Sequence, residues 1–587
     1  MPYLDTPEGS TDDKVAWGSD VAAQMLRRAG LKYVALNPGA SYRGLHDSIV
    51  NHLGNRDPGM LLCLHEDHAV GIAHGYAKAS GMPMGAIVHS NVGLMHGHMG
   101  IFNAHCDRVP IMIMGATGPI DSHQRRPWID WIHTSADQAS IVRDIIKFDN
   151  QPASPEGIID AMARAYVTCR TEPCGPVYIV LDAGLQEASL EKTPDLPDMA
   201  RYQPPAPPRA AKADIDTIAG WLKGAKKPLL LFGRMNKSQE GWDARVKLAE
   251  AIGACVMTDL KVGSCFPTDH EAHVIAPFNQ AGKAEHEIIG EADVIIGFDW
   301  VDMGGVICPP KGGGNRNAKI ARISLDHHVH TGSHSVYQQM APTDLFVSAN
   351  ADSVVADLND ALGASGKKQP WKQAVRKGRK PASPGRITMD DVGVALREAF
   401  DKPDEVCFAS VSRGWNCDLW PWRNPHAYNG KDGGGGIGSG PPISVGVALA
   451  NDDAGRKTVA VLGDGDFMMG GHAVWTAVKH KIPLLIIINN NQSYFNDELH
   501  QETVAKRRNR PVGNRWIGQS MTGPEIDICK FVEAQGATGI GPVSNPDDLK
   551  AAIEQGVKVL NEGGVALVNV LVPPVDRDSG STGVRNT

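Results

Sequence analysis

The segment from Lys457 to Phe495, KTVAVLGDGDFMMGGHAVWTAVKHKIPLLIIINNNQSYF, leaves little freedom to the fold around it. An apolar strand runs into Gly463-Asp464-Gly465, an amphipathic stretch follows, and a second apolar strand gives way to Asn489-Asn490-Asn491. Strand, turn, helix and strand at this length close a parallel crossover. The aspartate turn and the asparagine run then share the carboxyl edge of one sheet, where open α/β sheets bind ligands. Gly465 permits a tight turn, and the amides that open the next helix can face an anion. A carboxylate, an amide oxygen and a backbone carbonyl beside a phosphate make a magnesium site, because that ion takes oxygen ligands and bridges to diphosphate. Taken singly, Gly-Asp-Gly is a common turn and asparagines often close strands. Their combination at this spacing is what points to chemistry.

The same style recurs along the chain. YVALNPG, MLLCLHE, MGAIVHS and IMIMGA read as buried parallel strands in a first block. KPLLLFG, ADVIIGFD and KIARISLD do so in a second, and TVAVLG, PLLIIIN and ALVNVLV in a third. Two stretches rich in proline and charge, residues 190–212 and 364–386, have the composition of extended, solvated connections. The expectation is an α/β protein with three doubly wound parallel-sheet domains over residues 1–190, 205–363 and 387–575. A net charge of −8 argues against nucleic acid as the main partner. Ten scattered cysteines without a CxxC pair read as reduced thiols. No apolar run is long enough to span a bilayer and the polar N-terminus is unlike a signal peptide, so a soluble, cytoplasmic protein is expected.

Gly463-Asp464-Gly465, then twenty-four residues, then Asn490-Asn491 resembles the diphosphate-binding motif of thiamine-diphosphate enzymes. The resemblance implies magnesium held by the side chains of Asp464 and Asn491 and the backbone carbonyl of Ser493, with Gly465 and Asp466 in the cofactor-binding turn. Far upstream, HEDHAVGIAHGYA places Glu66 at the end of an apolar run and the start of a helix rich in glycine and alanine. This resembles the cofactor-activating segment of acetolactate synthases and benzoylformate decarboxylases. It implies that the Glu66 carboxyl shares a proton with the cofactor's pyrimidine ring. In KDGGGGIGSGPP, Ile437 matches the bulky residue that props the cofactor in a bent shape, and the Gly435 carbonyl matches the acceptor for its amino group. The chain is identified as a member of the acetolactate synthase and benzoylformate decarboxylase-like group. That membership implies pyrimidine-binding, middle and diphosphate-binding domains in this order, and a homodimer or homotetramer with each active site between subunits.

The reaction is less constrained. His89, twenty-three residues after Glu66 in AIVHSNVG, resembles the histidine through which benzoylformate decarboxylase moves protons to its substrate. Asp497 falls where pyruvate decarboxylase-like enzymes carry a pocket glutamate; a solvated loop carboxylate is the plainer reading. The five basic residues of AKRRNRPVGNRW could hold an anionic substrate or face water. Ala40 stands where benzoylformate decarboxylase presents a serine, and RRPWIDWIHTSADQ lacks the surroundings of branched-chain acetolactate synthesis. The histidines of LDHHVHTGSH (residues 325–334) are expected to be a surface loop rather than a metal site. No pattern decides whether the middle domain binds FAD. The expected activity is cleavage or formation of a C–C bond next to a carbonyl, as a 2-oxo acid decarboxylase or 2-hydroxyketone lyase with carboligase potential. The alternatives are condensation of two 2-oxo acids, as in acetolactate synthase, and a non-catalytic cofactor-binding protein.

Overall fold

Uninterrupted apolar strands need cover on both faces, and here they build three parallel sheets flanked by helices. The computed structural model describes the chain except residues 1, 10, 12–13, 310–313, 316, 327–338, 380–384, 413 and 573–587. The first sheet contains β1 (Tyr33–Leu36), β2 (Gly59–Leu62), β3 (Met84–Val88), β4 (Ile111–Thr117), β5 (Asp149–Asn150) and β6 (Val177–Asp182), ordered β2-β1-β3-β4-β6-β5. The second contains β7 (Pro228–Phe232), β8 (Cys255–Thr258), β9 (Val294–Phe298), β10 (Lys319–Ile323) and β11 (Leu345–Val347), ordered β11-β10-β9-β7-β8. The third contains β12 (Val406–Ser410), β13 (Lys457–Gly463), β14 (Leu484–Asn490), β15 (Thr538–Val543) and β16 (Val565–Leu571), ordered β12-β13-β14-β16-β15. The strands expected from sequence are present, and shorter or more polar ones such as β5, β11 and β15 complete the edges.

Seven helices matter for the site: α1 (Glu66–Ser80), α2 (Ser90–Asp107), α3 (Ile129–Ile132), α4 (Gly440–Asp453), α5 (Asp464–Gly470), α6 (Ala473–Lys479) and α7 (Phe495–Arg507). The amphipathic stretch between β13 and β14 is two short helices, α5 and α6, broken around Gly471, which lies against the Phe467 carbonyl and the Phe531 ring.

The first and third sheets are joined by α1 packing on α4. The glycines of GIAHGYA serve this crossing. A Cβ on Gly75 would stand 2.0 Å from the Ile443 carbonyl oxygen, and one on Gly446 would stand 2.0 Å from that of Ile72. Only backbones stripped of side chains approach so closely. Ile72, Ala73, Ile443 and Val447 therefore belong to one buried cluster that runs through both domains.

Composition suggested a solvated connection over residues 364–386, but the structure docks its first part, around Trp371 and Val375. The Trp371 indole N–H donates to the Pro228 carbonyl at 2.7 Å and the Val375 amide to that of Val274 at 2.7 Å. A single tryptophan gives this polar segment enough apolar area to lie on the middle domain. The ten cysteines are all unbridged, and eight are buried. Among the described residues, no helix is long and apolar enough to cross a membrane.

Candidate active site

Parallel pairing sets Gly463 opposite Asn489, so the loops after β13 and β14 emerge side by side. Asp464 opens α5 and is buried. The Ser493 amide donates both to the Asp464 carboxylate, at 3.2 Å, and to the Asn491 side-chain oxygen, at 3.0 Å. Gln492 makes this convergence possible by taking a left-handed φ of 58°. The neighbouring asparagines are engaged elsewhere: Asn490 donates to Asn569 at 3.0 Å, and Asn489 to Ser412 at 3.3 Å. Burial raises the Asp464 carboxyl to about 6, opposed by backbone N–H groups of Gly465, Asp464, Gln492 and Ser493. A buried acid beside a second oxygen donor, with no ion pair to it among the described residues, suits a small hard cation.

Helical phase separates two adjacent acids on α7. Glu498 is buried, accepts a hydrogen bond from the Ser493 hydroxyl and pairs with Arg515 at 3.2 Å. Asp497 lies on the exposed side of the same turn. Of the basic residues downstream, Arg515 reaches back to Glu498 and Glu502, and Lys506 pairs with Glu502 at 3.1 Å. Arg507, Arg508 and Arg510 face solvent.

Asp466 acts on the glycine loop. Its carboxylate accepts the Gly438 N–H at 2.6 Å and the Gly440 N–H at 3.3 Å, and burial lifts its carboxyl to about 6. Gly438 (φ +97°) carries the chain past Met469 and leaves Ile437 47% exposed. Gly435 is exposed at φ +71°.

In the first domain, Glu66 opens α1 and is buried. One carboxylate oxygen stands 3.1 Å from His96 Nδ1, and the other fits against Gly93, where a Cβ would come within 2.9 Å. His89 precedes α2, with Nδ1 2.8 Å from Ser41 Oγ and its ring edge-on to His133 at 4.6 Å between centroids. Burial lowers the His89 pKa, His133 and Arg126 push it the same way, and Glu66 opposes them. A cleft of about 450 Å³ separates the two domains, with Leu64, His65 and Met99 on one wall and Ile437, Met469 and His472 on the other. Asp464 and Asn491 do not line it.

Three models of thiamine pyrophosphate enzymes match the chain: the N-terminal TPP binding domain over residues 16–141, the central domain over 215–358 and the C-terminal TPP binding domain over 410–570. The chain belongs to the thiamine pyrophosphate enzyme family. The acetolactate synthase large subunit of Haemophilus influenzae is 24% identical over 586 residues, covering 94% of each chain. Benzoylformate decarboxylase of Pseudomonas aeruginosa is 24% identical over 489 residues, covering 80% of this chain and 85% of its own. The crystal structure of benzoylformate decarboxylase from Polynucleobacter necessarius has the same fold, with a TM-score of 0.78 at 20% identity, over 95% of this chain and 99% of that one.

Within this thiamine pyrophosphate enzyme, sequence reasoning brought Asp464, Asn491 and Ser493 to one place, and the structure sets them together. It missed Ser41, His133 and Glu498. The strand-end position of His89 could have drawn attention to the turn beside it, but nothing local marks Glu498 as the inward acid. Residues 327–334 of the histidine-dense segment lie outside the described residues.

Proposed function

We propose that this thiamine-diphosphate-dependent enzyme also requires magnesium and cleaves or forms a C–C bond next to a carbonyl in a 2-oxo acid or 2-hydroxyketone. The observation that carries the reading is the convergence of buried Asp464 and Asn491 on the Ser493 amide. Their side-chain oxygens and the Ser493 carbonyl would hold the metal, and the amides opening α5 would face the diphosphate. Asp466 holds the loop that presents Ile437 and Gly435 to the cofactor. When bound, thiamine diphosphate supplies a stabilised carbanion beside the substrate's carbonyl carbon.

The remaining roles fall to the chain. Glu66, buried and hydrogen-bonded to His96, would exchange a proton with the pyrimidine ring of the bound cofactor. His89 faces the reacting carbonyl. Asp497 is a candidate acid at the rim, because Glu498 is already engaged by Ser493 and Arg515. A second copy would complete the site as a homodimer or homotetramer. In support, Leu64, Ile437 and Met469 are each about half exposed around the cleft, an apolar grouping that suits a subunit contact.

The test is turnover of a panel of 2-oxo acids and 2-hydroxyketones with thiamine diphosphate and Mg²⁺, following both CO₂ and the organic product. One CO₂ and one aldehyde per 2-oxo acid would identify a decarboxylase. Two oxo acids consumed per CO₂ would identify a synthase, and cleavage without CO₂ a lyase. Bound cofactor with no product from any donor would overturn the proposal.

A further inference from the structure

The turn after β1, Asn37-Pro38-Gly39-Ala40-Ser41, closes around the His89 ring. A Cβ on Gly39 would come within 2.5–2.7 Å of His89 Cβ, Cγ and Nδ1, so this glycine is what lets the imidazole lie against the turn. Ser41 is 4% exposed. Its hydroxyl oxygen accepts the Ser90 N–H at 3.1 Å and stands 2.8 Å from His89 Nδ1. A hydroxyl has one proton to donate, and a buried one is rarely left without an acceptor. Among the described residues, the only acceptor recorded for it is His89 Nδ1. An Nδ1 that accepts leaves the proton of the neutral ring on Nε2.

We propose that Ser41 is a positioning residue: by donating to Nδ1 it holds His89 as the Nε2–H tautomer, so that His89 meets the substrate's carbonyl oxygen as a neutral hydrogen-bond donor rather than as a base. This deepens the function proposed above and rests on its placement of His89 at the substrate. The surroundings agree. The charged and titratable groups acting on the ring are His133, Arg126 and Glu66; the first two disfavour imidazolium, as does burial. Arg126 is fixed by the buried Asp130, 2.7 Å from its guanidinium. His133 is held through its carbonyl, which accepts the Gly118 N–H at 3.1 Å. A neutral imidazole N–H directed at a carbonyl stabilises the negative charge that gathers on its oxygen. It transfers no proton, so no imidazolate need form.

The test begins on the protein without cofactor or substrate. Protein labelled with ¹⁵N-histidine is sedimented for solid-state NMR near neutral pH, and the His89 signals are identified by their loss in His89→Gln. The expected spectrum shows an unprotonated, hydrogen-bonded Nδ1 and a protonated Nε2 for His89, and a mixture of tautomers in Ser41→Ala. A protonated Nδ1 in the native protein would overturn the proposal whatever the enzyme turns over. With a substrate in hand, Ser41→Ala should lower kcat about 10- to 100-fold with KM and cofactor affinity little changed, and Ser41→Thr, which keeps the hydroxyl, should restore it. Full activity in Ser41→Ala, or failure of a folded Ser41→Thr to recover, would remove Ser41 from this role. Should no substrate be found, the spectrum alone decides the tautomer.

Discussion

Replacing Asp464 by asparagine should stabilise the metal-free protein while destroying its hold on magnesium, and the gain should depend on pH. Burial raises the Asp464 carboxyl from 3.8 to about 6. Between those values the folded chain binds a proton at Asp464 that the unfolded chain releases, so this group's contribution to stability is greatest below about pH 4 and is lost as pH rises through 6. The difference corresponds to about 3 kcal/mol lost once the group is ionised in both states. A neutral amide resembles the protonated acid and escapes that loss. Asp464→Asn should therefore gain up to about 3 kcal/mol at pH 7.5 and almost nothing at pH 4, which raises a melting temperature by several degrees. Calorimetry in the presence of a chelator, across this pH range, reads the effect directly. Saturating Mg²⁺ and thiamine diphosphate should reverse the order, stabilising the native protein and leaving the variant where it was. An equal gain at pH 4 and pH 7.5 would mean a packing effect and would refute the desolvation argument; no gain at pH 7.5 would do the same.

Three further substitutions address other parts of the site. Glu66→Gln should retain cofactor, measured by equilibrium binding, and lose at least about 100-fold in turnover; a variant with native kcat would disprove the activating role. Gly75→Ala should destabilise the chain by about 1–3 kcal/mol or more, because the new methyl meets a backbone oxygen rather than a flexible side chain, and an unchanged unfolding midpoint would show that the α1–α4 crossing can open freely. Glu498→Ala should leave Arg515 and the Ser493 hydroxyl without this partner, weaken metal binding about tenfold and speed tryptic cleavage after Arg507 and Arg508, whereas native affinity and proteolysis would show that Glu498 does not support the metal loop.

The parts of the site legible in sequence were those built from one stretch of chain. Asp464 and Asn491 sit at the ends of adjacent strands of a single crossover, so strand length and turn chemistry suffice to bring them together. Glu498 was hidden because its inward direction depends on helix phase, and about 100° of rotation separates it from Asp497. Ser41 escaped notice because the neighbouring Ala40 drew the comparison with relatives, while the hydroxyl that matters reaches across to His89, 48 residues further on and just past the end of β3. The glycines of α1 looked like part of a cofactor signature. Their physical reason, the Pro442 ring against Gly71 and the Ile443 carbonyl against Gly75, both on α4, lies beyond the reach of any local pattern.

That crossing also bears on how such chains can be recombined. The three sheets resemble exchangeable modules, yet Gly75 and Gly446 interlock through atoms that no side chain elsewhere can replace. A chimera that took its first domain from one parent and its third from another would join two surfaces never selected to fit. The helices α1 and α4 must come from the same parent, and with them Glu66 and the glycine loop that ends in Ser439. The middle domain makes no such demand on this crossing, which makes it the natural place for variation.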